Sequence, residues 1–381
     1  MTLDRRSFLG AAALLTASPV LFAQAATERR FVFIIQRGAA DGLNAVIPYA
    51  EPAYARLRGA LAVDPESALK LDGTFALHPS LPKLRELYAA GEASFFHAVA
   101  SPYRDRSHFD GQNVLETGGS AAYQVKDGWM NRLVGLLPRR GKDAIAFSPA
   151  VPMALRGPIE VTTYAPSALP QANDDLMLRV EQLYAKDSLL HALWSSALDA
   201  RGMAGEMSGS EKRQDPPALG RIAAGFLART DGPRIAMIET TGWDTHSGQN
   251  ARLAAQLKGL DNLIAALRDG MGSAWSQTVI LVATEFGRTV AANGTGGTDH
   301  GTGAAAMLVG GAVQGGRVIA DWPGLSSASL HDGRDLKPTL ALDRLMASAS
   351  AEAFGLEPER TARVLFPDSV RGQSMQKLLR V

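Results

Sequence analysis

The chain has no cysteine. That excludes disulfides, thiolate metal sites and cysteine nucleophiles. Any metal must rest on His, Asp or Glu, and any nucleophile must be a hydroxyl or a water. A charge of one sign is also lacking, since 39 basic residues stand against 38 acidic ones. A general nucleic-acid binder needs a basic surface to neutralise phosphates, so no nucleic-acid partner is expected. What is present is 381 residues, 46% hydrophobic and 20% charged. That is the balance of a globular chain with ample apolar material for a core. The length admits one large α/β domain or two smaller ones.

Residues 1–25 have the grammar of an export signal. A short charged stretch, MTLDRRSFLG, precedes the apolar run AAALLTASPVLFA and the small-residue site Ala23-Gln24-Ala25. The run is shorter than the ~20 apolar residues of a spanning helix, so no membrane span is expected after cleavage. The pair Arg5-Arg6, followed by Ser7, Phe8 and Leu9, resembles a twin-arginine signal. The expected partner during export is then the twin-arginine translocase, and the destination is periplasmic or extracellular. Cleavage after Ala25 leaves a net charge of zero.

Along the remainder, continuous apolar runs mark buried strands at 31–35 (FVFII), 94–99, 234–239, 278–283 and 304–309, with a shorter one at 144–147. Helical spacing is found at 80–90, 107–116, 127–137, 218–229, 249–267 and 336–353. Alternation of this kind predicts an α/β fold: a mainly parallel central sheet with helices on both faces. Residues 26–366 are expected to form that single domain. The Pro-broken stretch 149–217, with a long amphipathic helix over 174–200, is expected as a helical insertion or cap, and 367–381 as a C-terminal tail.

In an open α/β sheet, ligands bind at the carboxyl ends of the strands. Asp41, Gly42 and Asn44 follow the first strand. Arg104, Arg106, Ser107, His108 and Asp110 follow the second, SFFHAV. Asp244, Thr245 and His246 follow RIAMIET, and Glu285, Phe286, Gly287 and Arg288 follow TVILVAT. Asp299 and His300 lie in the loop before the strand AAAMLVGG. Each segment alone has a plain structural explanation: Asp41-Gly42 as a turn, Ser107 with Asp110 as a helix cap. Their coincidence at strand ends is the signal, since three of the seven histidines gather there. His78, His97, His191 and His331 lack such company and are expected to be structural or exposed. Asp and His together suit a divalent cation such as zinc or manganese. A serine at a helix start suits anion chemistry, and Arg104, Arg106 and Arg288 could fork onto an anion's oxygens.

The segments DGLN (41–44), SPYRDRSHFDGQ (101–112), GWDTH (242–246), TEFGRT (284–289) and GTDHG (297–301) together resemble the exported domain-of-unknown-function family DUF1501. That family is similar to a branch of the alkaline phosphatase and sulfatase superfamily, which implies an alkaline-phosphatase-like sandwich. The resemblance implies Asp41 as a metal-binding aspartate and Ser107 as nucleophile. It also implies Asp244, His246 and His300 as one metal site, with Glu285 contributing to a second. Glu285-Phe286 departs from the superfamily's Asp-His. Phenylalanine cannot bind metal, so one ion is expected rather than two. The implied function is a metal-dependent hydrolase of small anionic phosphate or sulfate esters. The alternative is a non-catalytic exported binding or accessory protein on the same fold.

Overall fold

A computed structural model describes residues 28–139, 141, 143–165, 174–204, 215–368, 375 and 377–380. The expected export signal, 1–25, lies outside them, as do 166–173 and 205–214 of the expected insertion and most of the tail.

The first apolar run forms β1 (Arg30–Gln36), buried along its whole length. Its side chains alternate between two cores, as strand pleating requires. Phe31, Phe33 and Ile35 enter one core with Trp129, Met130, Leu133, Leu345 and Phe354. Val32 and Ile34 enter the other with Ile222, Phe226, Leu257 and Ile264. Trp129 packs edge-on against Phe31 and Phe33, with ring centroids 6.2 and 5.4 Å away. A sheet buried on both faces therefore sits between two helical layers.

The other strands of this sheet are β2 (Ala93–Ala100), β3 (Ala144–Phe147), β4 (Thr162–Thr163), β5 (Ile235–Thr240), β6 (Thr278–Ala283), β7 (Ala304–Val309), β8 (Arg317–Ile319) and β9 (Leu340–Ala341). Their order is β8-β2-β7-β6-β1-β5-β3-β4, with β9 also beside β2. Every neighbouring pair is parallel except the two made by β7. The expected α/β class, mainly parallel with helices on both faces, is the one found.

The reversed strand matters for the site. The loops after β1, β2, β5 and β6 leave one edge of the sheet. Because β7 runs the other way, the loop that precedes it reaches that same edge. His300 thus meets residues that follow their strands.

Two expected helices differ in extent. The stretch 174–200 is two helices, Asp174–Tyr184 and Ser188–Ala204. Asp187 restarts the second by accepting the Leu189 and Leu190 N–H groups at 3.0 Å each. The last long helix begins at Leu342, not at 336. Pro338 disfavours helical geometry just before it, and residues 340–341 pair with β2 instead. No helix among the described residues is long and apolar enough to cross a membrane.

Candidate metal centre

Ser107 ends the segment after β2 in an extended conformation and caps α1 (His108–Thr117); its Oγ accepts the Asp110 N–H at 3.5 Å. The cap places His108 as the first helical residue. Its Nδ1 lies 2.8 Å from Glu285 Oε1. Its Nε2 is buried and has no hydrogen-bond partner, with Asp244 Oδ2 3.5 Å away. Phe286 stacks on the His108 ring at 5.1 Å and lies 5.3 Å from that of His300. The phenylalanine that cannot ligate instead walls two imidazoles.

His300 Nδ1 lies 2.9 Å from the Arg106 carbonyl, and His246 Nδ1 lies 3.2 Å from Asp299 Oδ1. A carbonyl and a carboxylate can only accept, so each of these Nδ1 atoms carries the hydrogen. The same holds for His108 against Glu285. In a neutral ring with that tautomer, Nε2 is a bare lone pair. The three Nε2 atoms converge. His246 Nε2 is 3.0 Å from His300 Nε2, and Asp244 Oδ1 is 3.0 Å from the first and 3.4 Å from the second. A nitrogen from each of His108 and His300 and an oxygen of Asp244 all lie within 4.8 Å of one another. Two ring nitrogens 3.0 Å apart need a proton or a cation between them. Ligands about 2.0–2.1 Å from a tetrahedral zinc stand roughly 3.4 Å apart, close to the separations among His246, His300 and Asp244; His246 is not one of the three residues whose donor atoms all lie within 4.8 Å of one another.

The surroundings hold this donor set in place. Glu285 is fully buried. Its Oε1 accepts from His108, from Gln112 Nε2 at 3.0 Å and from Gly38 N at 2.9 Å. Gly38 has φ +120, and a Cβ there would come within 2.5 Å of Asp244 N, so glycine is required. Burial works to raise the Glu285 carboxyl, but the donors from His108, Gln112 and Gly38 outweigh it and hold it below the ordinary range. The Glu285 hydrogen bond in turn raises His108 above an ordinary histidine, against burial. His300 is lowered, first by burial and then by the charge of His108. Asp244 is lowered despite its partial burial, because Arg288 Nη1 donates to its Oδ1 at 2.8 Å.

The other candidates are placed as follows. Asp41 is buried and fully engaged: Arg58 donates to Oδ2 and Oδ1 at 2.5 and 2.9 Å, Gln249 Nε2 to Oδ2 at 2.5 Å, and the Leu43 and Asn44 N–H groups to Oδ1. It is a helix cap and an ion-pair partner. Glu285 supports His108 rather than forming a second cluster with Asp41. Arg288 is buried and spends its guanidinium on Asp244 and Thr298. Arg106 spends its own on Asp335 at 2.8 Å, and Arg104 on the carbonyls of Ser101 and Tyr103. Arg288 is thus fully committed, whereas Arg106 engages Asp335 through Nη2 alone and its Nε is buried without a hydrogen-bond partner. His97 is a core residue, pushed down to about 4 by burial. The residue that sequence reasoning left without a role is His108. Its signal was its place, next to Ser107 in a strand-end loop.

The family model described as "Protein of unknown function (DUF1501)" matches residues 28–365. No curated protein matches the chain in sequence. Among solved structures, it is similar to the C-terminal periplasmic domain of EcEptC from Escherichia coli in complex with Zn, at 11% identity and TM-score 0.43, over 93% of this chain and 94% of that one. A putative sulfatase from Bacteroides thetaiotaomicron is similar at 10% identity and TM-score 0.40, over 91% and 76%. Alkaline phosphatase from the Antarctic bacterium TAB5 is similar at 11% identity and TM-score 0.36, over 76% and 93%. At these scores none of them transfers a ligand or a reaction to this chain.

Proposed function

The chain belongs to the DUF1501 family of proteins of unknown function, and we propose that it is an exported metalloprotein that hydrolyses phosphate or sulfate esters. One divalent cation, zinc before manganese, would be held by the Nε2 atoms of His108, His246 and His300 and by the Asp244 carboxylate. The observation that carries this is the gathering of three ring nitrogens around the Asp244 carboxylate, with each Nδ1 placed against an outward acceptor, Glu285, Asp299 or the Arg106 carbonyl. A nitrogen-rich donor set with one carboxylate suits zinc.

The chain's own residues supply the rest. Ser107 presents a half-buried hydroxyl at the start of α1, beside the first ligand. Its bond from Asp110 N is long, at 3.5 Å, and its hydroxyl hydrogen remains free to be given up. The free N–H groups of that helix start favour an ester's anionic oxygens. Ser107 Oγ would bond to phosphorus or sulfur as the bond to the alcohol oxygen breaks, the serine's proton leaving with that alcohol, and water would later release the phosphate or sulfate and restore the serine hydroxyl. The bound cation supplies Lewis acidity for the ester oxygen and a lowered pKa for a nearby hydroxyl.

A second reading rests on the donor count. Four protein donors can close a tetrahedral site, as structural zinc sites do. That favours a binding or accessory protein on the same fold.

One experiment separates them. Purified protein is expected to hold about one zinc per chain and to turn over a phosphate or sulfate ester. Ser107→Ala should keep the metal and lose at least about 10³-fold in turnover. A metal-bearing protein inert on every ester supports the accessory role. A metal-free protein, inert even with zinc or manganese supplied, overturns both readings.

Export belongs to the same proposal. Replacing Arg5 and Arg6 together by lysine is expected to leave the precursor in the cytoplasm, as fractionation would report. Export unchanged by this pair of substitutions would rule out the twin-arginine route.

A further inference from the structure

We infer that Asp335 is a positioning residue for the metal centre, holding His300 in its ligating orientation through the Arg106 carbonyl. The inference rests on the metal centre proposed above.

Arg106 adopts φ +62, a left-handed conformation uncommon outside glycine and costly for a long side chain. In that conformation its carbonyl lies 2.9 Å from His300 Nδ1. Something must hold an arginine there. The Arg106 guanidinium lies 2.8 Å from Asp335 Oδ2, and Asp335 is completely buried. The same Oδ2 accepts the Thr302 hydroxyl at 2.9 Å. Thr302 lies two residues beyond His300. One carboxylate oxygen thus grips both sides of the contact: the residue that offers the carbonyl and the loop that offers the imidazole. The backbone beside Asp335 is fixed too. It exchanges hydrogen bonds with His331 at 2.9 Å in each direction. The neighbouring Arg334 donates to the His300 carbonyl.

Groups that fix the tautomer and ring orientation of a metal-ligating histidine typically contribute 10–100-fold to metal affinity. Asp335 is one step further out, but it sets two elements at once. Asp332 is the natural control. It lies 3.5 Å from the same guanidinium nitrogen but is 67% exposed, where an ion pair contributes little.

The test uses the whole chain, stripped of metal and titrated with zinc, then with cobalt as a spectroscopic substitute. Asp335→Asn is expected to weaken zinc binding by about 10-fold or more and to shift the visible cobalt spectrum. Asp332→Asn is expected to leave both as in the wild type. Thr302→Val removes one arm of the grip without unpairing a charge, and is expected to weaken zinc binding in the same direction by a smaller factor. It decides the matter if Asp335→Asn does not fold. Folded Asp335→Asn or Thr302→Val protein with wild-type affinity and an unchanged cobalt spectrum would overturn the positioning role while leaving the centre intact. A wild-type chain that bound neither metal would overturn the centre, and this inference with it.

Discussion

Asp244→Ala is expected to abolish retention of zinc through purification, with affinity lowered by more than about 100-fold. The bound follows from position. Partners in the outer shell are worth 10–100-fold, and Asp244 would touch the ion itself. It is also the carboxylate on the Nε2 side of the imidazoles, with its Oδ1 facing two Nε2 atoms and its Oδ2 facing the third. Arg288, which holds it, would be left as a buried cation beside the site, further disfavouring a metal ion. His108→Ala should fall in the same class, and this separates the four-donor set from the three residues suggested by the motifs alone. Elemental analysis and zinc titration of the folded variants check both. Wild-type zinc content in Asp244→Ala would remove it from the donor set.

The same set carries a pH dependence with a definite sign. Metal binding requires bare Nε2 atoms, so protons compete. His108 is raised above the ordinary histidine value in the metal-free chain, chiefly by its bond to Glu285, so its proton must be displaced over a higher range than usual. Zinc affinity should therefore rise with pH across that range and fall as pH drops through it. His300, lowered first by burial, gives up its proton at lower pH than an ordinary histidine.

How much of this was legible in the sequence depends on how far each feature is local. The long strands carried continuous apolar runs, and β3, β6 and β7 begin and end where those runs do. Two-residue strands such as β4 and β9 have no periodicity to read; only pairing with a neighbour defines them. The convergence of Asp244, His246 and His300 was legible because strand ends share an edge. The direction of β7, which makes a preceding loop join following ones, was not. Asp41 illustrates the limit. An Asp-Gly pair after the first strand has the same letters whether it faces a metal or caps a helix. The difference lies in Arg58 and Gln249, 17 and 208 residues away. Likewise, nothing local marks Glu285 as a support rather than a ligand. That follows from three donors reaching it from Gly38, His108 and Gln112.

Asp41→Ala is expected to destabilise the fold by about 3–5 kcal/mol while leaving zinc stoichiometry unchanged. The magnitude comes from what the carboxylate satisfies. Arg58 and Asp41 are each almost wholly buried, with side chains 1% exposed. Removing one partner of a buried ion pair leaves the other charge uncompensated, and the residual guanidinium has no water to turn to. The Leu43 and Asn44 N–H groups also lose their cap, and Gln249 loses its acceptor. Denaturant unfolding of the metal-free protein measures the loss without a contribution from bound zinc, which would otherwise stabilise the native state by mass action. The sign is then checked by a paired substitution. Asp41→Asn with Arg58→Met removes both charges together, and should recover much of the stability lost by Asp41→Ala, because the penalty arises from the unpaired charge. A metal ligand would behave in the opposite way. Its removal would lower zinc content whatever happened to stability, and neutralising Arg58 would not restore it. Loss of zinc in a stably folded Asp41→Asn, Arg58→Met protein would return Asp41 to the metal centre.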